Sequence, residues 1–202
     1  MKIILKNKFE PENFSSCPDD IHFRQWDCVT VIFADIDDFY EYAQKMQPER
    51  LLYELHEFFS CFDEAVDQFH LEKIKTIGDA YMCVGGISSS GNNHPVNSVA
   101  AALAVRHYLE QRRQGSDCWS VRFGIHTGTV YSGVLGRKQQ TFDVWGPAVN
   151  LASRLESSCP KGEIQISDIT YEQIKDYFVC EYQGIMPEKW GKGSLYLVKG
   201  EK

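Results

Sequence analysis

A chain of 202 residues, 43% of them hydrophobic and 24% charged, is long enough for one sizeable core or at most two small ones. Its formal net charge of −7 argues against a general nucleic-acid or anionic-membrane binder, since both need basic surface, but leaves room for one small anionic ligand held by metal ions and a few local cations. No apolar run reaches the ~20 residues that cross a bilayer, the N-terminus lacks the apolar core of a signal peptide, and seven scattered cysteines with no Cys-x-x-Cys pair suit reduced thiols in a cytoplasmic protein.

Residues 1–27 are polar and mixed, with Pro11, Pro18 and Asp19-Asp20, and read as a lead-in or linker. Residues 28–202 are expected to form one domain. A nearly continuous apolar run at Cys28–Ala34 predicts a strand buried on both faces. It stops at Asp35-Ile36-Asp37-Asp38-Phe39-Tyr40, where acids cluster as at helix N-termini. Two helices follow. The second opens at Pro48, a favoured first-turn residue, and runs to about His70 with Leu51, Leu52, Leu55, Phe58, Phe59, Phe62 and Val66 on its apolar face.

Glu72–Gly86 predicts a hairpin: Ile74, Thr76 and Ile77 suit one strand, Tyr81, Met82, Cys83 and Val84 another, and Gly78-Asp79 tolerates the positive φ of a tight turn. The loop Gly85–Pro95 contains Gly86-x-x-x-x-Gly91, but Asn92-Asn93 stands where a phosphate loop needs Lys-Ser/Thr. Val96–Arg113 is an Ala-rich amphipathic helix and Trp119–Val130 a strand, in which a lone His126 fits a hydrogen-bonded core histidine better than a ligand. Tyr131–Gln140 is a loop or extended arm, Thr141–Trp145 a short strand, and Gly146–Ser158 a helix opened by Pro147. Glu163–Ser167 is a strand, Asp168–Tyr177 a helix capped by Asp168, and Phe178–Tyr182 and Ser194–Lys199 close the chain as strands. This order suggests an α/β (α+β) domain, a mainly antiparallel sheet carrying helices on one face.

Asp35 at a strand end and Asp79 at a hairpin tip could share hard divalent cations such as Mg²⁺, which take few carboxylates and otherwise prefer phosphate oxygens. Taken alone, both also fit solvated strand-end acids. Asn150 and Arg154, four apart on one helix, point the same way and could orient a sugar and hold charge on a transferring phosphorus. An exposed capping or salt-bridging pair fits them as well. Lys192 between two glycines is a cation on flexible backbone.

The order of these pieces carries more than each alone. Phe33-Ala34-Asp35-Ile36-x-x-Phe39, Lys73-Ile74-Lys75-Thr76-Ile77-Gly78-Asp79-Ala80-Tyr81-Met82, Phe123-Gly124-Ile125-His126-Thr127-Gly128, and Phe142-Asp143-Val144-Trp145-Gly146-x-x-Val149-Asn150-x-Ala152-Ser153-Arg154-Leu155-Glu156-Ser157 together resemble the class III nucleotide cyclase catalytic domain. The resemblance runs from residue 28 to about 199. It implies a ferredoxin-like sandwich working as a homodimer with two shared sites at the subunit interface. It assigns Asp35, Asp79 and Ile36 to two divalent cations, Mg²⁺ with Mn²⁺ as a substitute. Lys75 and Asp143 match the purine-selecting positions in their adenylyl form, Asn150 the ribose-orienting residue, Arg154 the transition-state arginine, and Lys192 a triphosphate-binding lysine. Ile36 and Phe39 are carried over as nucleotide-binding.

The purine choice has a physical basis. Adenine presents an N1 acceptor and a 6-amino donor, which suit a Lys donor with an Asp acceptor; guanine reverses that edge. Unpaired buried polar groups against the wrong base let two side chains discriminate. The implied activity is conversion of ATP to 3′,5′-cyclic AMP and pyrophosphate, with a guanylyl or relaxed-specificity cyclase, or a catalytically silent regulatory half, as alternatives. An upstream regulatory domain is expected in the full-length protein, and neither nucleic acid nor membrane is an expected partner. Two departures from the family pattern stand out. Asp37-Asp38 replaces uncharged residues, often Val-Gly, where backbone N–H groups cradle phosphates, which weakens anion binding unless both side chains face water. Thr129 stands where some relatives carry a phosphate-binding arginine, leaving Arg137, Lys138 or Lys192 to compensate.

Overall fold

The strand β2 (His22–Ile36) runs through the middle of the sheet, pairing antiparallel with β4 (Ala80–Gly85) on one side and β5 (Val121–Leu135) on the other. The computed structural model describes residues 15–16, 22–87, 93–113, 119–136, 138 and 140–202, with the side chains of 15, 16, 22 and 113 outside that description. Most of the expected lead-in, the centre of the Gly85–Pro95 loop, Cys17, Cys118 and Arg137 lie outside the described residues. The strand begins at His22 rather than Cys28, since Phe23–Trp26 already pair with β5 ahead of a register shift between Trp26 and Val29.

The remaining elements are β1 (Ser15–Ser16), α1 (Phe39–Lys45), α2 (Pro48–Gln68), β3 (Glu72–Ile77), α3 (His94–Arg113), β6 (Thr141–Trp145), α4 (Pro147–Ser158), β7 (Ile164–Ser167), α5 (Asp168–Ile174), β8 (Phe178–Ile185), a 3-10 turn at Glu188–Trp190 and β9 (Ser194–Glu201). The sheet order is β3-β4-β2-β5-β7-β9-β8, with β1 on β2 and β6 on β5. Every described pairing is antiparallel except β5 with β7, so the mainly antiparallel expectation holds.

The helices do not share one face. Ile32, Ala34 and Ile36 of β2 meet Phe58, Phe62, Ala65 and Val66 of α2 and Val99, Ala102 and Val105 of α3. The alternating residues Val29, Val31 and Phe33 meet Ala148 and Ala152 of α4 on the opposite side. Glycine at position 124 explains how α4 gets so close: a Cβ there would lie 2.1 Å from the Glu156 nitrogen and 2.2 Å from the Ala152 oxygen. The main core is aromatic-rich, with Phe62 stacked on Tyr81 at 4.6 Å and tilted against Phe123 at 5.9 Å. Each such buried ring contributes about 1.5–3 kcal/mol relative to exposure.

Two further readings need correction, and a third is decided between its alternatives. Leu52 is 66% exposed, because the inward arc of α2 follows Phe58, Cys61, Phe62, Ala65 and Val66. The N-cap of α5 is Ser167, whose hydroxyl accepts from the Thr170 N–H, while Asp168 is the first helical residue. Of the loop or extended arm expected over Tyr131–Gln140, Tyr131–Leu135 is the arm: it forms the end of β5, paired with β6 from Tyr131↔Trp145 to Leu135↔Thr141. His126 behaves as expected of a core histidine: it is buried and its Nδ1 shares a 2.7 Å hydrogen bond with Ser167 Oγ.

Gly124→Ala should be among the most destabilising single-methyl additions in the domain, because backbone on both sides has to move. Urea unfolding is expected to show a loss of at least about 3 kcal/mol, against less than about 0.5 kcal/mol for Gly200→Ala, where nothing lies within 4 Å of the added carbon.

Candidate active site

Asp35 is the next-to-last residue of β2, where the sheet gives way to the turn before α1. In register its cross-strand partner on β5 is Arg122. On the other side, Ala34 pairs with Tyr81 and the β3–β4 hairpin turns at Gly78-Asp79. Gly78 takes the positive φ of 64° that the tight turn demands. The register therefore carries Asp79 to the end of β2 beside Asp35. The two carboxyls sit close enough to share a hydrogen bond, and burial followed by the Asp35 charge pushes the Asp79 pKa up to about 6.

Arg122 relieves part of this crowding. Its Nη2 donates to Asp35 Oδ2 at 2.8 Å and its Nε donates to Glu156 Oε1 of α4 at 2.5 Å. Its Nη1 lies 3.7 Å from Asp37 Oδ1. Nothing in the motif spacing pointed to Arg122 or Glu156. A charged residue alternating with buried Val121 and Phe123 inside an apolar strand was the available signal.

At the Asp37-Asp38 departure only one of the two side chains faces water. Asp37 is 2% exposed and turns inward, accepting the Gly162 N–H at 3.0 Å. Its own N–H donates to the Ser120 carbonyl, so that amide is already spent. Asp38 adopts a left-handed φ of 56° ahead of α1, a conformation that explains why glycine suits this position and that aspartate tolerates. Its carboxylate pairs with Lys161. Ile36 is 2% exposed and part of the core, and Phe39 packs its ring edge-on against Trp119 at 5.8 Å. Ile36 could meet a ligand only through its backbone, while Phe39 is half-buried.

The two residues expected to select the purine also come together. Lys75 of β3 donates to Asp143 Oδ2 of β6 at 2.5 Å, and Asp143 Oδ1 accepts the Val144 N–H. A donor and an acceptor are thus presented side by side across two strands. Asn150 and Arg154 stand exposed one turn apart on α4. Arg154 Nη1 donates to the Lys189 carbonyl at 3.3 Å, which brings it against the turn that leads to Lys192. Lys192 is exposed between Gly191 and Gly193, both at positive φ. Within one chain, Asp35 and Asp79 form one group, Lys75 and Asp143 a second, and Arg154 with the Lys192 loop a third. Lys138 is exposed and joins none of these in any described contact.

The Asp35–Asp79 pair fits divalent cations by the chemistry of its donors. Two hard carboxylate oxygens, held together against their own repulsion, gain from a shared cation. Among the described residues no group of three or more His, Cys, Asp or Glu is placed to hold an ion, so this pair would need additional oxygen ligands such as phosphates.

Residues 21–200 match the family described as "Adenylate and Guanylate cyclase catalytic domain". An adenylate cyclase of Mycobacterium tuberculosis is 41% identical over 173 residues, covering 85% of this chain and 39% of the relative; the chain thus spans well under half the length of that protein. The adenylyl cyclase CyaB of P. aeruginosa has the same fold, with a TM-score of 0.81 at 30% identity over 90% of this chain and 97% of the other. So has the guanylate cyclase domain of RhGC from Catenaria anguillulae in complex with GTP, with a TM-score of 0.82 at 30% identity over 89% and 100%.

The raised Asp79 pKa sets a sign for stability. A carboxyl whose folded pKa lies above its unfolded one stabilises the fold below about pH 4 and loses that contribution as pH rises through about 6. Asp79→Asn should therefore unfold at a higher temperature than wild type at pH 7.5 in chelator, by on the order of 2–4 °C after discounting for solvent screening. At pH 4 the two melting curves should coincide.

Proposed function

The chain belongs to the adenylate and guanylate cyclase catalytic domain family, and from that premise we propose that it is an adenylyl cyclase, converting ATP to 3′,5′-cyclic AMP and pyrophosphate. The Lys75–Asp143 pair carries the choice of base. Lys75 donates to adenine N1 and Asp143 accepts from the 6-amino group; guanine would set its N1–H against the ammonium and its O6 against the carboxylate. Leaving such groups unpaired costs about 1–3 kcal/mol each, enough to separate two purines by orders of magnitude.

Asp35 and Asp79, with the Ile36 backbone, hold two divalent cations, Mg²⁺ or Mn²⁺ in its place. Such ions supply activation of the ribose 3′-hydroxyl and charge neutralisation on the triphosphate. Asn150 orients the ribose so that the hydroxyl meets the α-phosphorus in line, an arrangement that by itself lowers the barrier. Arg154 places its guanidinium where negative charge grows on the five-coordinate phosphorus. Lys192, on a glycine-flanked turn that Arg154 already touches, closes on the triphosphate, and the Phe39 backbone lies beside it. Lys192 also fills the part of the phosphate-binding arginine that Thr129 leaves empty.

One chain does not easily bring these groups to one nucleotide. Lys75 and Asp79 are four residues apart on a single hairpin, a span of at most about 13 Å even when fully extended, yet they serve opposite ends of an extended ATP. A two-fold dimer resolves the conflict. Asp35 and Asp79 come from one protomer and Lys75, Asp143, Asn150 and Arg154 from its partner, making two equivalent sites. Tyr131 and Trp145, cross-strand partners on the β5–β6 arm and both exposed, continue the sheet surface that carries Asp143 and suit burial against a second copy. No helix among the described residues is long and apolar enough to cross a membrane; we read the domain as cytoplasmic and joined to a regulatory segment in the extra length that its relatives have.

The test is a product assay with ATP or GTP and Mn²⁺, the cyclic nucleotides separated by chromatography. Wild type is expected to favour ATP. Lys75→Glu or Asp143→Cys alone should cut kcat/KM for ATP about 5- to 150-fold, and the double variant should prefer GTP. A double variant that kept the wild-type preference would remove these residues from base selection.

A further inference from the structure

Arg122 is placed in none of the roles above, yet it makes the most constrained set of contacts near Asp35. Its Nη2 and Nε each meet a different carboxylate, Asp35 at 2.8 Å and Glu156 at 2.5 Å. A planar fork bound at two nitrogens by groups on different elements keeps no rotational freedom. Glu156 is 7% exposed, and its other oxygen accepts the Ser157 hydroxyl at 3.1 Å. Its backbone is fixed as well, since the Glu156 nitrogen sits against Gly124, two residues along β5 from Arg122. The restraint therefore runs from the sheet through α4 and Glu156 to Arg122, and from Arg122 to Asp35.

We propose that Arg122, clamped by Glu156, is a positioning residue for the cation site: it occupies Oδ2 of Asp35, fixes the carboxylate plane and leaves Oδ1 to the cation. This rests on the reading of Asp35 and Asp79 as metal ligands. Carboxylates that bind metal are commonly oriented by such outer partners, whose loss costs roughly 10–100-fold in metal affinity. Here the partner has a second consequence. The same helix carries Asn150 and Arg154, which in the dimer face the opposite site, so the Glu156–Arg122–Asp35 chain ties the cation end of one site to the phosphorus end of the other.

The experiment uses the full chain with 3′-deoxy-ATP, which lacks the attacking hydroxyl, and reads Mn²⁺ binding by electron paramagnetic resonance. Activity against ATP is measured in parallel across a Mn²⁺ titration. Arg122→Lys keeps the charge but cannot span both carboxylates, and Glu156→Ala frees the guanidinium from α4. Both should weaken Mn²⁺ binding at least about tenfold and shift the Mn²⁺ midpoint of activity by a similar factor. Glu156→Gln, which still accepts the Nε–H, should stay within about threefold of wild type. If Glu156→Ala fails to fold, Arg122→Lys carries the test. A purely structural role would instead lower the rate at every Mn²⁺ concentration with the midpoint unmoved, and that result overturns the proposal. So does unchanged Mn²⁺ affinity in both variants while Asp35→Asn loses it, an outcome that spares the metal reading. Asp35→Asn binding Mn²⁺ as wild type does would remove both.

Discussion

The repulsion between Asp35 and Asp79 is the constraint around which the site is arranged. Strand register leaves little freedom: β2 ends at Asp35 and Ile36, the β3–β4 hairpin turns at Asp79 beside it, and the two carboxyls meet. Folding gains nothing from this contact at neutral pH, since burial and like charge both disfavour the ionised pair. The surroundings are organised to tolerate it. Arg122 on β5 faces Asp35 from the neighbouring strand, Asp37 is turned inward onto the Gly162 amide, and Asp38 is tied to Lys161. A rigid aromatic core under α2 and a helix packed directly on Gly124 hold the arrangement against its own strain. A pair that costs stability when empty and gains a divalent cation when filled makes chemical sense at a site for a triphosphate.

The remaining candidate groups fall into separate clusters on the one chain. Lys75 and Asp143, proposed to select the base, meet on β3 and β6. Arg154 and the Lys192 turn form a separate edge, joined through the Lys189 carbonyl. Because α4 lies on the opposite face of the sheet from α2 and α3, its exposed Asn150 and Arg154 stand on a surface available to a partner rather than buried under a helical layer. The same helix sends Glu156 inward to Arg122, so one element contributes to both the interior of its own protomer and the surface offered to the other.

Much of this could be read from the sequence, for identifiable reasons. Buried strands such as β2 and β4 advertise themselves as apolar runs, and Gly78-Asp79 marks a turn of one kind only. Asp35, Lys75, Asp79, Asp143, Asn150 and Arg154 stood out as candidates because they lie in four ordered motifs that resemble those of the family. What escaped was long-range. Arg122 lies 87 residues from Asp35 and 34 from Glu156, and no local pattern joins them. The two-sided placement of helices was hidden because amphipathic period shows that a helix packs, not on which face; Gly124 between Phe123 and Ile125 was the one local hint of close approach. Whether Asp37 faces water or the interior could not be read locally, because its burial depends on an amide 125 residues away. The capping by Ser167 is a shift of one position, the usual uncertainty at element ends, whereas Leu52 is exposed because it lies off the inward arc of α2.

Two mutant chains mixed together test the shared site most directly. Asp35→Ala and Arg154→Ala proteins should each be nearly inactive alone, because every site in either homodimer lacks one essential group. In a heterodimer one site carries both lesions and the other carries none, so about half of the wild-type activity per dimer should return. Heterodimers would be counted by native mass spectrometry in the same sample used for the cyclic AMP assay. Recovery in proportion to the heterodimer fraction is the predicted result. Heterodimers that form in that count yet produce no more cyclic AMP than the separate chains would contradict a site built from two protomers.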